Sequence, residues 1–264
     1  MKVGLIGVGV MGDPMAKNLK KAGHDVIVYS RTPTKCDPLR ALGIKVADSA
    51  HQAIAASEAT ILMVPSHVEV DQVLKSSPDG DIVAPVANRT IILMSTISPA
   101  YSAELGNKLA AAGGRYVEAP VSGSKVPAEN AQLLILASSA EPVHIDGVQP
   151  LFDALGRKTV RCGAVPTAMR MKLANQLLLI LWFEAITEAT HFAKETGLDV
   201  QLFLEMMQAG PLANDVLRSK VAKLASDDFS EQAPIRNVAK DIGLVCEEAS
   251  RGGVWVPIAE ANRA

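Results

Sequence analysis

The sequence predicts an α/β fold: a doubly wound, mostly parallel sheet followed by an all-helical region, the two joined by one long interdomain helix. Three features carry this prediction. Apolar runs of strand length at 3–6, 26–29, 59–64, 90–94 and 116–119 alternate with helical patterns, the order expected of parallel strands covered on both faces. The first run breaks into Gly7-Val8-Gly9-Val10-Met11-Gly12, a glycine turn between a strand and a helix. Residues 167–194 then contain no Gly or Pro and are dense in Leu, Ile, Met and Ala. They read as a single helix of roughly 40 Å at 1.5 Å per residue.

The glycine turn leads into Ala16, Leu19 and Ala22 at helical spacing. Gly7 permits the sharp turn, Gly9 lets a pyrophosphate approach the backbone, and Gly12 lets the helix pack on the strand, so that phosphates sit at the positive end of the helix. A Rossmann-type dinucleotide site is expected rather than a Gly-rich turn without a ligand, because the second strand arrives where a βαβ unit places it. NAD enzymes usually keep Asp or Glu at the end of that strand, on the ribose 2′-hydroxyl. This chain has Ser30-Arg31-Thr32. A guanidinium grips a 2′-phosphate through paired, charge-assisted hydrogen bonds and the two hydroxyls add to them, so the cofactor expected is NADP(H). The alternative at Arg31 is a solvated surface side chain.

Further along, 44–46 reads as a short strand and 49–57 as a helix with Ser49 as its N-cap. The run at 59–64 ends at Pro65-Ser66, and the run at 90–94 delivers Ser95-Thr96-Ile97-Ser98-Pro99, with Ser98 a candidate N-cap and Pro99 at N1 of a helix through Ala112. Strand carboxyl ends line the crevice of a doubly wound sheet, which places Val64, Pro65 and Thr96 beside the cofactor. The strand at 116–119 ends in the polar turn Pro120-Val121-Ser122-Gly123-Ser124, and edge strands at 133–136 and 159–161 flank a helix at 147–155. Beyond Gly197 the pattern is helical throughout, at 200–208, 215–224 and 234–250, with a further start at Pro257. The expected division is a dinucleotide-binding domain at 1–162 and a helical substrate and oligomerisation domain at 163–264. The stretch 257–264 reads as the beginning of a helix, so a truncated chain is expected.

At 264 residues, 48% hydrophobic and 20% charged, the chain is long enough for two cores. A net charge of −2 gives no reason to expect a nucleic-acid or membrane partner. Cys36, Cys162 and Cys246 are scattered without metal-ligand spacing, which predicts reduced thiols and no metal site, and the five histidines are equally dispersed. Met1-Lys2 runs straight into the first strand and no apolar stretch approaches about 20 residues, so a cytoplasmic protein is expected. The apolar excess after residue 163 predicts a homodimer or homotetramer.

Within the long helix, Lys172 and Asn175 stand three residues apart on one face, flanked by apolar residues. Either Lys172 snorkels to water or pairs with an acid, or, desolvated under the crevice, it supplies a proton to a carbonyl oxygen as hydride arrives.

Four segments resemble, in order and spacing, the signatures of the β-hydroxyacid dehydrogenases. They are the glycine turn continued through Asp13-Pro14-Met15-Ala16-Lys17-Asn18-Leu19, then Glu118-Ala119-Pro120-Val121-Ser122-Gly123-Ser124, Lys172-Leu173-Ala174-Asn175, and Lys240-Asp241-Ile242-Gly243-Leu244. The resemblance covers nearly the whole chain. It implies that Lys172 is the general acid in reduction and the general base in oxidation, and that Ser122 and the Gly123 amide hold the substrate carboxylate beside Ser124. It further implies that Asn175 orients substrate and Lys172, that Lys240 lies near the nicotinamide, and that Asp241 and Phe229 are close to the substrate. The implied reaction is NADPH-dependent reduction of small carboxylated aldehydes (glyoxylate, succinic or tartronate semialdehyde), or oxidation of 3-hydroxy acids such as 3-hydroxyisobutyrate in reverse.

Two positions depart from the pattern. Many members have a second Gly at Ser124; Ser122-Gly123-Ser124-Lys125 followed by Pro127-Ala128-Glu129 resembles the glyoxylate/succinic semialdehyde reductase branch, which prefers NADPH. Some members carry the Asn four residues after the Lys, where this chain has Gln176. The alternatives are an imine reductase, in which the proton-donor position usually holds Asp or Tyr, and a non-catalytic NADP-binding scaffold. Lys172 argues against both.

Overall fold

In the computed structural model, which describes residues 1–75, 81–230 and 234–263, the glycine turn sits inside a complete βαβ unit. Strands β1 (Lys2–Ile6) and β2 (Asp25–Tyr29) pair in parallel around helix α1 (Gly12–Lys21). Next come α2 (Asp37–Ala41), β3 (Lys45–Val46), α3 (Ala50–Ala55), β4 (Ala59–Leu62), α4 (His67–Leu74), β5 (Thr90–Leu93), α5 (Pro99–Ala111) and β6 (Arg115–Glu118). These strands lie side by side as β3-β2-β1-β4-β5-β6, every pair parallel. That is the doubly wound order, with its switch point between β1 and β4. The sheet continues through β7 (Val121–Ser122), α6 (Lys125–Glu129), β8 (Leu133–Ser138), α7 (Pro142–Leu155) and β9 (Gly156–Gly163). β8 runs antiparallel to β6 and β7 and parallel to β9.

Strand alternation decides which residue faces which helical layer. Val3 and Leu5 of β1, Ile61 of β4, Ile92 of β5 and Val117 of β6 pack with Leu19 of α1 and Phe152 of α7. Their neighbours Ile6, Leu62, Ile91, Leu93 and Tyr116 point the other way, onto Ile54 of α3, Leu74 of α4 and Leu105 of α5. Both faces are covered, and this is why the strands read as unbroken apolar runs.

The remaining elements are α8 (Thr167–Glu195), α9 (Val200–Ala209), α10 (Asp215–Ala225), α11 (Ile235–Arg251) and α12 (Pro257–Arg263). α8 is 29 residues long, about 43 Å at 1.5 Å per residue, and it crosses three packing environments. Met169 belongs to the core under the sheet. Leu173 and Ile180 pack with Ile242, Val245 and Cys246 of α11 and Ala259 of α12. Ile186 packs with Leu204 of α9 and with Leu217 and Val221 of α10.

Several local readings change. Ser49 caps α3 as expected, accepting from Gln52 N at 3.1 Å. The Ser98 hydroxyl makes no capping bond, and α5 starts on Pro99 instead, whose fixed φ suits a first turn. Ser66, read only as the end of a strand, forms a capping box with Glu69 that starts α4. The expected edge strand at 133–136 is interior, because β9 pairs along its far side and takes the edge. The polar turn at 120–124 contains β7, and the helix expected from 147 begins at Pro142, with Gly147 inside it. Ala264, where the last expected helix ends, lies outside the described residues.

Candidate active site

β1 ends at Ile6 and the chain turns at Gly7, which has φ +104° and donates its N–H to Tyr29 O at 3.0 Å. A Cβ on Gly7 would stand 2.1 Å from Met63 O, and one on Gly12 would stand 2.0 Å from Gly7 O. The protein's own packing forbids a side chain at both positions. Gly9 differs, since a Cβ there would meet no heavy atom within 4 Å. What Gly9 keeps clear is open space beside the start of α1, which no side chain caps. That space suits a pyrophosphate set against the positive end of α1. Val10 is 41% exposed on the turn, and Met11 packs against the α1-side core.

The turn opens into a cavity of about 480 Å³ lined by Gly7, Val8 and Gly9, by Ser30, Arg31 and Thr32 after β2, by Val64 and Pro65 after β4, and by Glu69 and Gln72 of α4. Parallel strands bring these segments together because their carboxyl ends share one edge of the sheet. Ser95 Oγ accepts from Val64 N at 2.8 Å and so ties the ends of β4 and β5 together. Arg31 is already engaged, with one nitrogen donating to Glu69 Oε1 at 3.2 Å and another to Gln72 Oε1 at 3.0 Å. A second hollow, of about 390 Å³ and lined by Glu58, Thr90, Arg115 and His144, lies at the amino ends of the strands and contains none of the expected site residues.

Past the end of β5 a hydrogen-bonded chain runs to Lys172. Lys240 Nζ donates to Thr96 O at 2.5 Å and lies 2.9 Å from Asp241 Oδ1. Asp241 Oδ2 accepts from Gln176 Nε2 at 2.6 Å, and Gln176 Oε1 accepts from Lys172 Nζ at 2.7 Å. Lys172, Gln176 and Asp241 are 6%, 9% and 7% exposed. Burial pulls the Lys172 ammonium down to about 8; Asp241 opposes the fall and Lys240 adds to it. Asp241 Oδ1 has an ammonium nearby but no hydrogen-bond partner among the described residues, since Lys240 directs its bond to Thr96.

In the structure Lys172 does not meet Asn175. The buried stripe of α8 runs through Met169, Lys172, Leu173, Gln176 and Ile180. Asn175 falls outside it, is exposed, and points Nδ2 at Ser122 Oγ, 3.4 Å away. Gln176, one residue further, takes the place against Lys172, and its signal was the i, i+4 spacing on the same face. Gly123 has φ +124°, and a Cβ there would stand 2.9 Å from Pro127 Cβ. Ser124 precedes α6 without capping it. Phe229 is 78% exposed after α10 and belongs to none of the buried clusters among the described residues.

Glu118, which sequence reasoning placed only in a motif, anchors the helix that carries Lys172. Glu118 Oε1 accepts from Met169 N at 2.8 Å and Ser138 Oγ from Ala168 N at 2.9 Å, so the sheet caps α8 where Pro166 offers no side-chain bond. The Ser102 hydroxyl donates to Glu118 Oε2. Burial pushes the Glu118 carboxyl up, against the pull of Ser102 and of the α8 amides. Among the described residues, no cluster of His, Cys, Asp and Glu could hold a metal ion and no helix is long and apolar enough to cross a membrane.

Comparison with known proteins supplies the family. Residues 2–163 match the family of the NAD binding domain of 6-phosphogluconate dehydrogenase, and 167–264 match the family described as NAD-binding of NADP-dependent 3-hydroxyisobutyrate dehydrogenase. Glyoxylate/succinic semialdehyde reductase 1 of Arabidopsis thaliana is 30% identical over 262 residues, covering 99% of this chain and 90% of the relative. The 2-hydroxy-3-oxopropionate reductase of Escherichia coli (strain K12) is 33% identical over 257 residues, covering 97% and 87%. A crystal structure of 3-hydroxyisobutyrate dehydrogenase from Salmonella typhimurium has the same fold, with a TM-score of 0.87 at 24% identity over 100% of this chain and 92% of that one. With a glycine turn open at Gly9, a crevice at the strand ends and relatives matched along its length, the chain belongs to the β-hydroxyacid dehydrogenase family, the oxidoreductases that work with a nicotinamide dinucleotide.

Proposed function

We propose that the protein is an NADPH-dependent reductase of small carboxylated aldehydes, with glyoxylate, succinic semialdehyde and tartronate semialdehyde as candidate substrates and the matching hydroxy acids as products. The observation that carries this reading is the buried Lys172, hydrogen-bonded to Gln176 and through it to Asp241, with burial pulling its ammonium down to about 8. When bound, the nicotinamide supplies the hydride in reduction and takes it in oxidation. Lys172 Nζ gives its proton to the carbonyl oxygen in reduction and accepts it back from the hydroxyl in oxidation. An ammonium near 8 stays mostly protonated at neutral pH yet yields its proton readily.

Gln176 turns its carbonyl oxygen to Lys172, and Asp241 fixes that orientation by accepting from the amide nitrogen. Ser122 and the Gly123 N–H take the substrate carboxylate, with Asn175 beside Ser122 and Ser124 at the rim. Lys240, held at Thr96 O, lies on the nicotinamide side. Ser30, Arg31 and Thr32 favour NADP(H), since β2 itself ends on a guanidinium and two hydroxyls where NAD enzymes carry an acid. In this reading 1–162 holds the cofactor, while 163–264 supplies the substrate pocket and pairs with further copies of the chain.

The test is Lys172→Ala. Its kcat on the three aldehydes is expected to fall by about 10²- to 10⁴-fold, while NADPH affinity by fluorescence titration stays near wild type. Lys172→Arg is expected not to rescue, because a guanidinium keeps its proton at any working pH. Oxidation by the wild type should rise with pH through about 8 as Lys172 becomes neutral, and reduction should fall over the same range. A Lys172→Ala enzyme that keeps most of its kcat on these aldehydes, with hydride transfer rate-limiting, rejects the mechanism. Turnover of a cyclic imine but of no aldehyde replaces the substrate class.

A further inference from the structure

We infer that Glu69 sets how strongly this site discriminates between dinucleotides with and without a 2′-phosphate, by competing for Arg31. The inference rests on the reading above that Arg31 is the 2′-phosphate ligand, and it concerns a residue on α4, across the cavity from the strand end where cofactor choice is usually made.

Arg31, Lys35 and Lys75 line the cavity, and Glu69 is the single carboxylate among the described residues that do. Its two oxygens are divided between two tasks. Oε2 accepts from Ser66 N at 3.0 Å and Ser66 Oγ at 2.6 Å, which fixes the carboxylate at the first turn of α4. Oε1 is left facing Arg31 at 3.2 Å, and Gln72, one turn along the same helix, takes another nitrogen of the guanidinium. Burial works to raise the Glu69 carboxyl, but the Ser66 bonds and the Arg31 charge bring it below its ordinary value, so it is ionised at neutral pH.

A planar guanidinium binds phosphate best when two of its N–H groups point at it together. Here two nitrogens already point at α4, and a phosphate arriving at Arg31 meets the negative charge of Glu69 as well. A ribose 2′-hydroxyl carries no charge and can donate to a carboxylate. Glu69 thus supplies, from the opposite wall, the acid that NAD enzymes keep at the end of the second strand. With Arg31 and Glu69 paired, the site holds the phosphate less selectively than Arg31 alone would, and the unphosphorylated cofactor remains a usable ligand.

The variant Glu69→Gln separates charge from structure, because Gln at the third helical position also serves in a capping box and keeps the bond to Ser66. Calorimetric titration of the full chain with adenosine 2′,5′-bisphosphate and with adenosine 5′-monophosphate reads the 2′-phosphate preference without turnover. Removing one charge next to the phosphate is expected to raise the affinity ratio in favour of the bisphosphate by roughly fivefold or more. Arg31→Ala should collapse the same ratio. A ratio in Glu69→Gln that is unchanged, or that moves toward the monophosphate, while Arg31→Ala still collapses it, overturns the role of Glu69 and leaves the NADP(H) reading standing. An unchanged ratio in Arg31→Ala overturns the NADP(H) reading itself.

Discussion

The sheet and the helices after it bury their apolar residues in different ways. In the sheet, Val3, Leu5, Ile61, Leu62, Ile92 and Leu93 are fully buried between helices on both faces. In the helices, burial is confined to stripes, and large apolar side chains stand in water on the other faces: Phe192, Leu202 and Leu212 are 66%, 62% and 71% exposed. Of the 20 exposed large hydrophobics among the described residues, 13 follow residue 163, in the shorter part of the chain. The sheet closes its own core, whereas the helices after 163 leave large apolar side chains exposed, which is the basis for expecting a homo-oligomer. The buried stripe of α8 also carries a polar run, Lys172 and Gln176, against Asp241 of α11. The first region is built for stability, and the second carries a group whose burial opposes stability.

The contrast can be broken first where the packing is most complete. Phe152, 1% exposed between α7 and the sheet, is expected to cost about 3–5 kcal/mol when changed to Ala, read by urea unfolding. A loss below about 1 kcal/mol would mean that the sheet core is looser than described.

The joint between the regions comes next. Glu118→Ala strands the Met169 N–H and one bond of Ser102, and is expected to cost about 2–3 kcal/mol in the same measurement. If it costs no more than a surface substitution, the sheet does not anchor α8.

At Lys172 the sign reverses. Moving a lysine from its ordinary value of 10.5 to about 8 corresponds to about 3 kcal/mol of disfavoured ammonium below pH 8. Lys172→Met should therefore stabilise the fold at pH 7 by about 2 kcal/mol, after about 1 kcal/mol is lost by leaving Gln176 Oε1 without its donor. Between about 8 and 10.5 the unfolded chain binds more protons than the folded one, so wild-type stability rises with pH there and the advantage of Lys172→Met should shrink across that window. Thermal unfolding of both proteins at pH 7 and pH 10 checks the sign; equal shifts at the two values would place the lysine in water.

The smallest effect is expected at the exposed apolar positions. Phe192→Ser should change the stability of the isolated chain by less than about 0.5 kcal/mol. Light scattering at micromolar concentration is expected to give a multiple of the 27.9 kDa chain mass, and a monomer would mean that the exposed face is not covered by another copy.

The amino-acid sequence alone determined the element types and the glycine turn. Apolar runs of strand length mark buried parallel strands, the breaker-free stretch after 167 marks α8, and three glycines at fixed spacing mark the turn, all of them features of neighbouring residues under local steric rules. Tertiary structure decided which polar groups meet. Gln176 rather than Asn175 faces Lys172 because α11 packs on one stripe of α8 and buries it. Arg31 pairs with Glu69 because β2 and β4 end at the same edge, which brings the start of α4 to a residue 38 positions away. Glu118 caps α8 from 51 positions earlier because β6 ends beneath the start of that helix. A hydrogen bond between distant segments has no signature in local spacing: each partner's residue type is common, and only the packing of whole elements fixes which donor finds which acceptor.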